Sequence, residues 1–233
     1  MNGNIVTCLF LLLCTCSSLP GQDVKTPYPS MAPLKQYLMA DREAEISLAR
    51  SAAPDSISRN ATVLILSVKG YATAYAGSNG FVCLVERSWM SPFDSTDFWN
   101  PRIRAPVCYN AAASRSVLIY TLDRTKWVLS GLTKVQVHDR VVAAVADGTF
   151  PSPAPGAMSY MMAKGGYLTD AAGHWHPHLM FHIPKVDPAS WGADLPGSPV
   201  LYDSAHVDSP EPQIIFFVPL AKWSDGSLAQ VHH

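Results

Sequence analysis

Charge is scarce in this chain and nearly cancels: 15% of its residues are Asp, Glu, Lys or Arg, and the formal net charge is -1. That balance leaves no basic footprint for nucleic acid, and it also lacks the charge-rich, core-poor composition of a disordered chain. Glutamate stands at only four positions, and cysteine at five, of which Cys8, Cys14 and Cys16 fall in the opening segment. Cys83 and Cys108 are therefore the only pair beyond it. No apolar run reaches the roughly 20 residues that span a bilayer as a helix. No glycine-rich loop joins a strand to a helix either. Gly77-Ser78-Asn79-Gly80 reads as a hairpin connector, which excludes a P-loop or dinucleotide fingerprint. Internal repeats are absent.

What is present is apolar content of 48% over 233 residues, enough for one well-buried core and short for two. The run from Ile5 to about Cys16 suits the apolar region of a signal peptide over residues 1–20, although no Lys or Arg precedes it. Leu13, three residues before Cys16, leaves a lipid anchor at Cys16 open. The expectation is an exported protein, periplasmic or secreted, in which Cys83 and Cys108 oxidise and close a loop of about 25 residues.

Residues 21–33 are polar and proline-rich and read as an extended lead-in to a single domain over 34–227, with 228–233 a frayed end. Leu34, Leu38, Ile46, Ala49 and Ala53 have approximately helical spacing, and Pro54 stops that element. Strands are expected at Ala61–Val68, Tyr71–Tyr75 and Phe81–Val85. An aromatic, proline-containing loop runs over 88–106. Asn110 caps a second helix, and Thr133 with Gln136 has capping-box spacing for a third that ends at Gly148. Strands return at Met158–Met162, Trp175–Ile183, Pro199–Tyr202 and Ile214–Leu220. Strands on both sides of a helical pair, without βαβ alternation, predict an α+β fold with a mostly antiparallel sheet and about three helices.

The chemistry-bearing segment is GHWHPHLMFHIP, Gly173 to Pro184. If it is extended throughout, His174, His176, His178, Met180 and His182 face one way, and Trp175, Leu179, Phe181 and Ile183 face the other. The apolar odd face then belongs to the core and the even face is free for ligation. Histidines at i and i+2 lie roughly 6.5 Å apart, within reach of one ion, whereas three on a straight strand are too far apart. His176 belongs to either neighbouring pair. Further ligands are sought at His182, His206 and Asp170, with Glu86, at the end of an apolar run, as ligand or general base. Zinc suits the imidazoles, and Met180 keeps copper open. His138 reads as a core histidine on the third helix. GAMSYMM and GHWHPHLMF, together with LVERSWMSPF, resemble segments of a group of exported bacterial proteins, and the resemblance implies no activity. Zinc peptidases of the cell envelope, cupins and α-carbonic anhydrases are similar only in a His-x-His strand, and their remaining ligands or glycine spacing have no counterpart here.

These readings lead to an exported divalent-metal protein, expected as a zinc-dependent hydrolase with Glu86 or Asp170 accepting a proton from metal-bound water. Its substrate would be a small molecule or a cell-envelope component, with no nucleic acid and no transmembrane span. The alternatives are a copper- or zinc-binding protein without turnover, or an interaction module.

Overall fold

Gly70 adopts φ +109°, which a residue with a side chain resists, and this turns β1 (Thr62–Ser67) back onto β2 (Gly70–Tyr75) as an antiparallel hairpin. The computed structural model describes residues 27–170, 175–202 and 209–229. β3 (Val82–Glu86) pairs antiparallel with β4 (Ala105–Tyr109). Beyond them lie β5 (Met158–Met161), β6 (His178–Ile183), β7 (Leu201–Tyr202) and β8 (Ile214–Pro219). One eight-stranded sheet results, ordered β2-β1-β3-β4-β5-β6-β8-β7.

The expected mostly antiparallel sheet is corrected to a mixed one, because β1 runs parallel to β3. The chain leaves β2 and crosses back through residues 76–81 to the far side of β1, so β3 starts from the same end as β1. Gly77 permits this crossing: a Cβ there would lie 2.2 Å from the Thr62 backbone nitrogen.

The helices cover both faces of the sheet. On one face α1 (Arg42–Arg50) packs Ile46 and Ala49 against Val63, Cys83, Val85 and Cys108. On the other lie α3 (Ala111–Ser116), α4 (Leu118–Leu129) and α5 (Lys134–Ala146), with α2 (Asp55–Ser58) a single turn before β1. Val117, Leu118, Tyr120 and Val141 of this layer meet Leu84, Val107, Met161 and Met180. A fully buried side chain of this kind contributes about 1.5–3 kcal/mol.

The expected first helix is broken. Leu34–Gln36 is a 3-10 turn, and α1 begins only where the Asp41 side chain accepts hydrogen bonds from the Glu43 and Ala44 backbone N–H groups. Between them Tyr37 turns inward and donates its hydroxyl to the Trp99 carbonyl at 2.8 Å, a tertiary bond that outweighs helical spacing. Asn110 caps α3 and the Thr133–Gln136 capping box starts α5, as expected. The chain also stays regular past 227, because Lys222 bridges Leu228.

Cys83 and Cys108 sit directly opposite one another in β3 and β4 and are bonded, with Cα atoms 4.0 Å apart. The bond ties off the loop 87–104 at its base and is compatible with export. No helix among the described residues is long and apolar enough to cross a membrane. Replacing both cysteines with alanine should cost about 3.5 kcal/mol by the chain-entropy relation for this loop. Urea unfolding of the double variant reads that loss, and an unchanged midpoint would mean that strand pairing closes the loop unaided.

Candidate functional site

Between the helical layer and the β3-β4-β5-β6-β8 face of the sheet lies a cavity of about 360 Å³. Tyr109, Met180 and Phe217 share the inner face of the sheet with Glu86, because residues opposite in register point the same way. α4 supplies Thr121 and Arg124, with Val117 at its N-cap on the same stripe, and the loop after β3 supplies Met90, Pro92 and Asp97.

Glu86 ends β3 on this inner face, and only 9% of its surface is exposed. Its Oε1 accepts the Tyr109 hydroxyl at 2.7 Å and the Thr121 hydroxyl at 2.6 Å. No hydrogen bond to Oε2 is made among the described residues, and Glu86 lines the cavity. Burial pushes the carboxyl above its ordinary range, against the two hydroxyls and Arg124, which favour the charged form. Tyr109 is itself pushed well up, by burial first and by Glu86 second.

For an acid with a raised folded-state pKa, the stabilisation is complete below the unfolded value and is lost as pH rises through the folded one. Wild type should therefore lose stability relative to Glu86→Gln as pH climbs above the ordinary carboxylate range of about 4. Parallel urea midpoints over that climb would contradict the buried acid.

Beside Glu86, Arg124 and Glu211 form an ion pair at 2.8 Å with both side chains 4% exposed. Arg124 also donates to the Ser91 carbonyl, and Ser209 donates to Glu211. Burial alone would raise Glu211, but Arg124 and Ser209 together hold it below its ordinary value.

The histidine run departs from its expected geometry. The strand begins at His178, so alternation does not extend upstream, and the inner, even-numbered face is the buried one: Met180 and His182 are enclosed. Leu179, Phe181 and Ile183 are only half-buried, because a short segment around Trp191 covers that side instead of a full helix. His182 binds Ser159 Oγ through Nε2 at 2.9 Å and Gln213 Oε1 through Nδ1 at 3.1 Å, so both ring nitrogens are engaged. The amide oxygen only accepts, which makes Nδ1 the protonated nitrogen and Ser159 the donor to Nε2.

His178 is half-buried on the cavity wall, and its Nδ1 meets the His176 carbonyl at 2.8 Å. Nδ1 must therefore carry the proton, leaving Nε2 as a bare acceptor. Burial holds this ring below its ordinary pKa, against the opposing effect of the carbonyl. Trp175 stands edge-on to His178, and its indole lies where a Cβ on Gly166 would be, 2.5 Å from Cζ2. The side chain of His176 is exposed and outside the cavity lining. His174 and His206 lie outside the described residues. Among the described residues no group of three or more His, Cys, Asp or Glu is placed to hold a metal ion.

Asp170 is not a free base. It accepts from Tyr28 at 2.6 Å, Asn100 at 2.8 Å, Arg102 at 3.4 Å and the Tyr167 hydroxyl, and it stands off the cavity lining. The hydroxyls of Tyr167 and Tyr28 hold its carboxyl below the usual range. It ties the lead-in to the aromatic loop. His138 is partly exposed, edge-on to Phe93 and near Asp139, so it is not a core histidine. The loop from Trp89 to Trp99 does border the cavity, but its tryptophans are buried in a separate cluster with Tyr37 and Phe98. Met90, Ser91 and Pro92 form the wall instead.

Sequence reasoning passed over Tyr109, Thr121, Arg124 and Glu211. Arg124 left a signal, since it shares the apolar stripe of Val117, Leu118, Thr121 and Val128, where a charge needs a buried partner. Compared with protein-family models, with curated proteins and with solved structures, the chain matches none of them.

Proposed function

We propose that the protein binds a small, largely apolar molecule in this cavity and exchanges a proton with it through Glu86. The observation that supports this reading is the Glu86 carboxyl, oriented by two hydroxyls on Oε1 in the wall of a cavity whose surface is mainly apolar. Pockets of this size are the usual form of a small-molecule site. Burial favours the protonated carboxyl, which donates from Oε2 to an acceptor, and once ionised it takes the proton back. Tyr109 and Thr121 stabilise the charged form. The bare Nε2 of His178 is a second proton acceptor on the same wall.

A fragment screen by thermal shift tests this with wild type and Glu86→Gln. Fragments that raise the wild-type melting temperature should lose most of that shift in the variant. Hits that stabilise both proteins equally would remove Glu86 from the function.

A metal reading stands beside it, favoured by the His178 tautomer: a histidine whose Nδ1–H is held by a carbonyl is pre-oriented to ligate through Nε2. Zinc is the ion that suits this imidazole, with copper the alternative if Met180 takes part, and Glu86 is then the base for a zinc-dependent hydrolysis. His174 and His206 remain the proposed companions, with His176 exposed at the strand entry. Metal content of untagged protein, dialysed against a weak chelator, should fall in His178→Ala and hold in His138→Ala. Equal content in wild type and His178→Ala would end this reading. Export to the periplasm or the medium, with or without a lipid at Cys16, is supported by the Cys83–Cys108 bond and the apolar opening segment.

A further inference from the structure

We infer that the ligand of this cavity is a cation, a protonated amine on a short apolar body, seated with its ammonium against Glu86 Oε2. This rests on the reading of the cavity as a small-molecule site. The argument is a balance of charges. Three carboxylates line the cavity, Glu86, Asp97 and Glu211, together with two guanidiniums, Arg87 and Arg124. Arg87 is committed to Glu45 at 2.7 Å and to the Tyr37 carbonyl, and Arg124 to Glu211 and the Ser91 carbonyl. The remaining Nε of Arg124 is buried and makes no hydrogen bond among the described residues.

Glu86 and Asp97 receive only neutral donors, Glu86 from Tyr109 and Thr121, Asp97 from Asn100 and Thr169. The groups around Glu86 are Tyr109 from β4, Thr121 and Arg124 from α4, and Tyr71 from β2, whose hydroxyl is bonded to the Val85 carbonyl. Arg124 is the sole cation among them, and Glu211 already matches its charge. An anionic ligand would meet two carboxyl groups that have no cation of their own, while the terminal nitrogens of both guanidiniums are already bonded. An ammonium supplies the missing charge and a donor for Oε2, and Met90, Met161 and Met180 offer polarizable surface to its body.

Binding then moves one proton. Glu86 enters as the acid and releases its proton to solvent as the ammonium, which keeps its own, takes the place beside the carboxylate. Titration calorimetry on the full chain at about pH 5, with 2-phenylethylamine, 2-phenylethanol and 3-phenylpropanoate in buffers of different ionisation enthalpy, reads both parts. The amine should bind about tenfold or more tighter than the alcohol, the carboxylate weakest, and the buffer dependence should report a released proton. Glu86→Gln, whose amide oxygen still accepts both hydroxyls, should lose the preference and the release together. If that variant fails to fold, the buffer dependence of the wild type decides alone. Alcohol or carboxylate binding as tight as the amine, absence of amine binding, or amine binding without proton release overturns the inference. If alcohol binding depends on Glu86, the small-molecule reading survives that failure. If binding of every probe is indifferent to Glu86, both fall.

Discussion

Arg124→Ala is expected to cost about 3–5 kcal/mol, the penalty for leaving one member of a buried ion pair without its partner. Both side chains are 4% exposed, and without the guanidinium Glu211 keeps only Ser209 against full desolvation. The same substitution releases the Ser91 carbonyl and uncovers the Phe93 ring, over which the guanidinium lies at 4.3 Å. The pH profile should change sign as well. In wild type Glu211 is depressed, so its stabilisation is present above the unfolded pKa and lost as pH falls; in the variant burial dominates, and stability is lost as pH rises. Urea denaturation at neutral and acid pH measures both effects. The paired replacement Arg124→Met with Glu211→Leu should recover most of the loss, because it leaves no charge behind. A cost below about 1 kcal/mol would mean that the pair is solvated like a surface bridge.

Trp89→Ala should be comparably severe, at about 3–5 kcal/mol. Trp89 is fully buried, meets Tyr37 with ring centroids 5.2 Å apart, and donates Nε1–H to Thr125 Oγ1 at 2.9 Å. It thereby fastens the start of the cavity loop to α4 and to the turn before α1. Trp89→Phe keeps most of the packing and loses the hydrogen bond, so it should cost about 1–3 kcal/mol. Melting temperatures ordered wild type, Phe, Ala are expected, and a Phe variant as unstable as Ala would assign the effect to the hydrogen bond.

The strands that were legible in the sequence are those with uninterrupted β-branched runs, such as Thr62–Ser67 and Ile214–Pro219, and the helix starts were legible through their caps. β4 was not, because Pro106 sits inside it. The sheet tolerates that proline since β5 pairs only with Cys108 and Tyr109, so one side of β4 carries no ladder at Pro106. Within the site, Glu86 stood out by its rarity and its place at the end of an apolar run, but that place reads as readily as an exposed strand-end carboxylate, and its burial came only with the fold. Its hydroxyl partners were not, because Tyr109 and Thr121 are ordinary residues whose importance comes from register and helix facing alone. Alternation grouped His178, Met180 and His182 on one face, as the strand has them, but gave burial to the odd face, since alternation tells which residues go together and not which side is covered. Glu211 lay in a segment that reads as a polar loop, and only its pairing with Arg124, 87 residues away in sequence, gives it a role.

The order of strands in the sheet bears on how the molecule assembles. From β4 to β6 each strand lies beside its predecessor in the chain, so a chain delivered amino end first can add each one to an existing edge. The partners for the Cys83–Cys108 bond are both present once β4 has emerged, before β5 is needed. The cavity has to wait longer. Glu211, Gln213, Ile215 and Phe217 form one of its sides and come late in the chain, so the wall opposite Glu86 is complete only once β8 is in place.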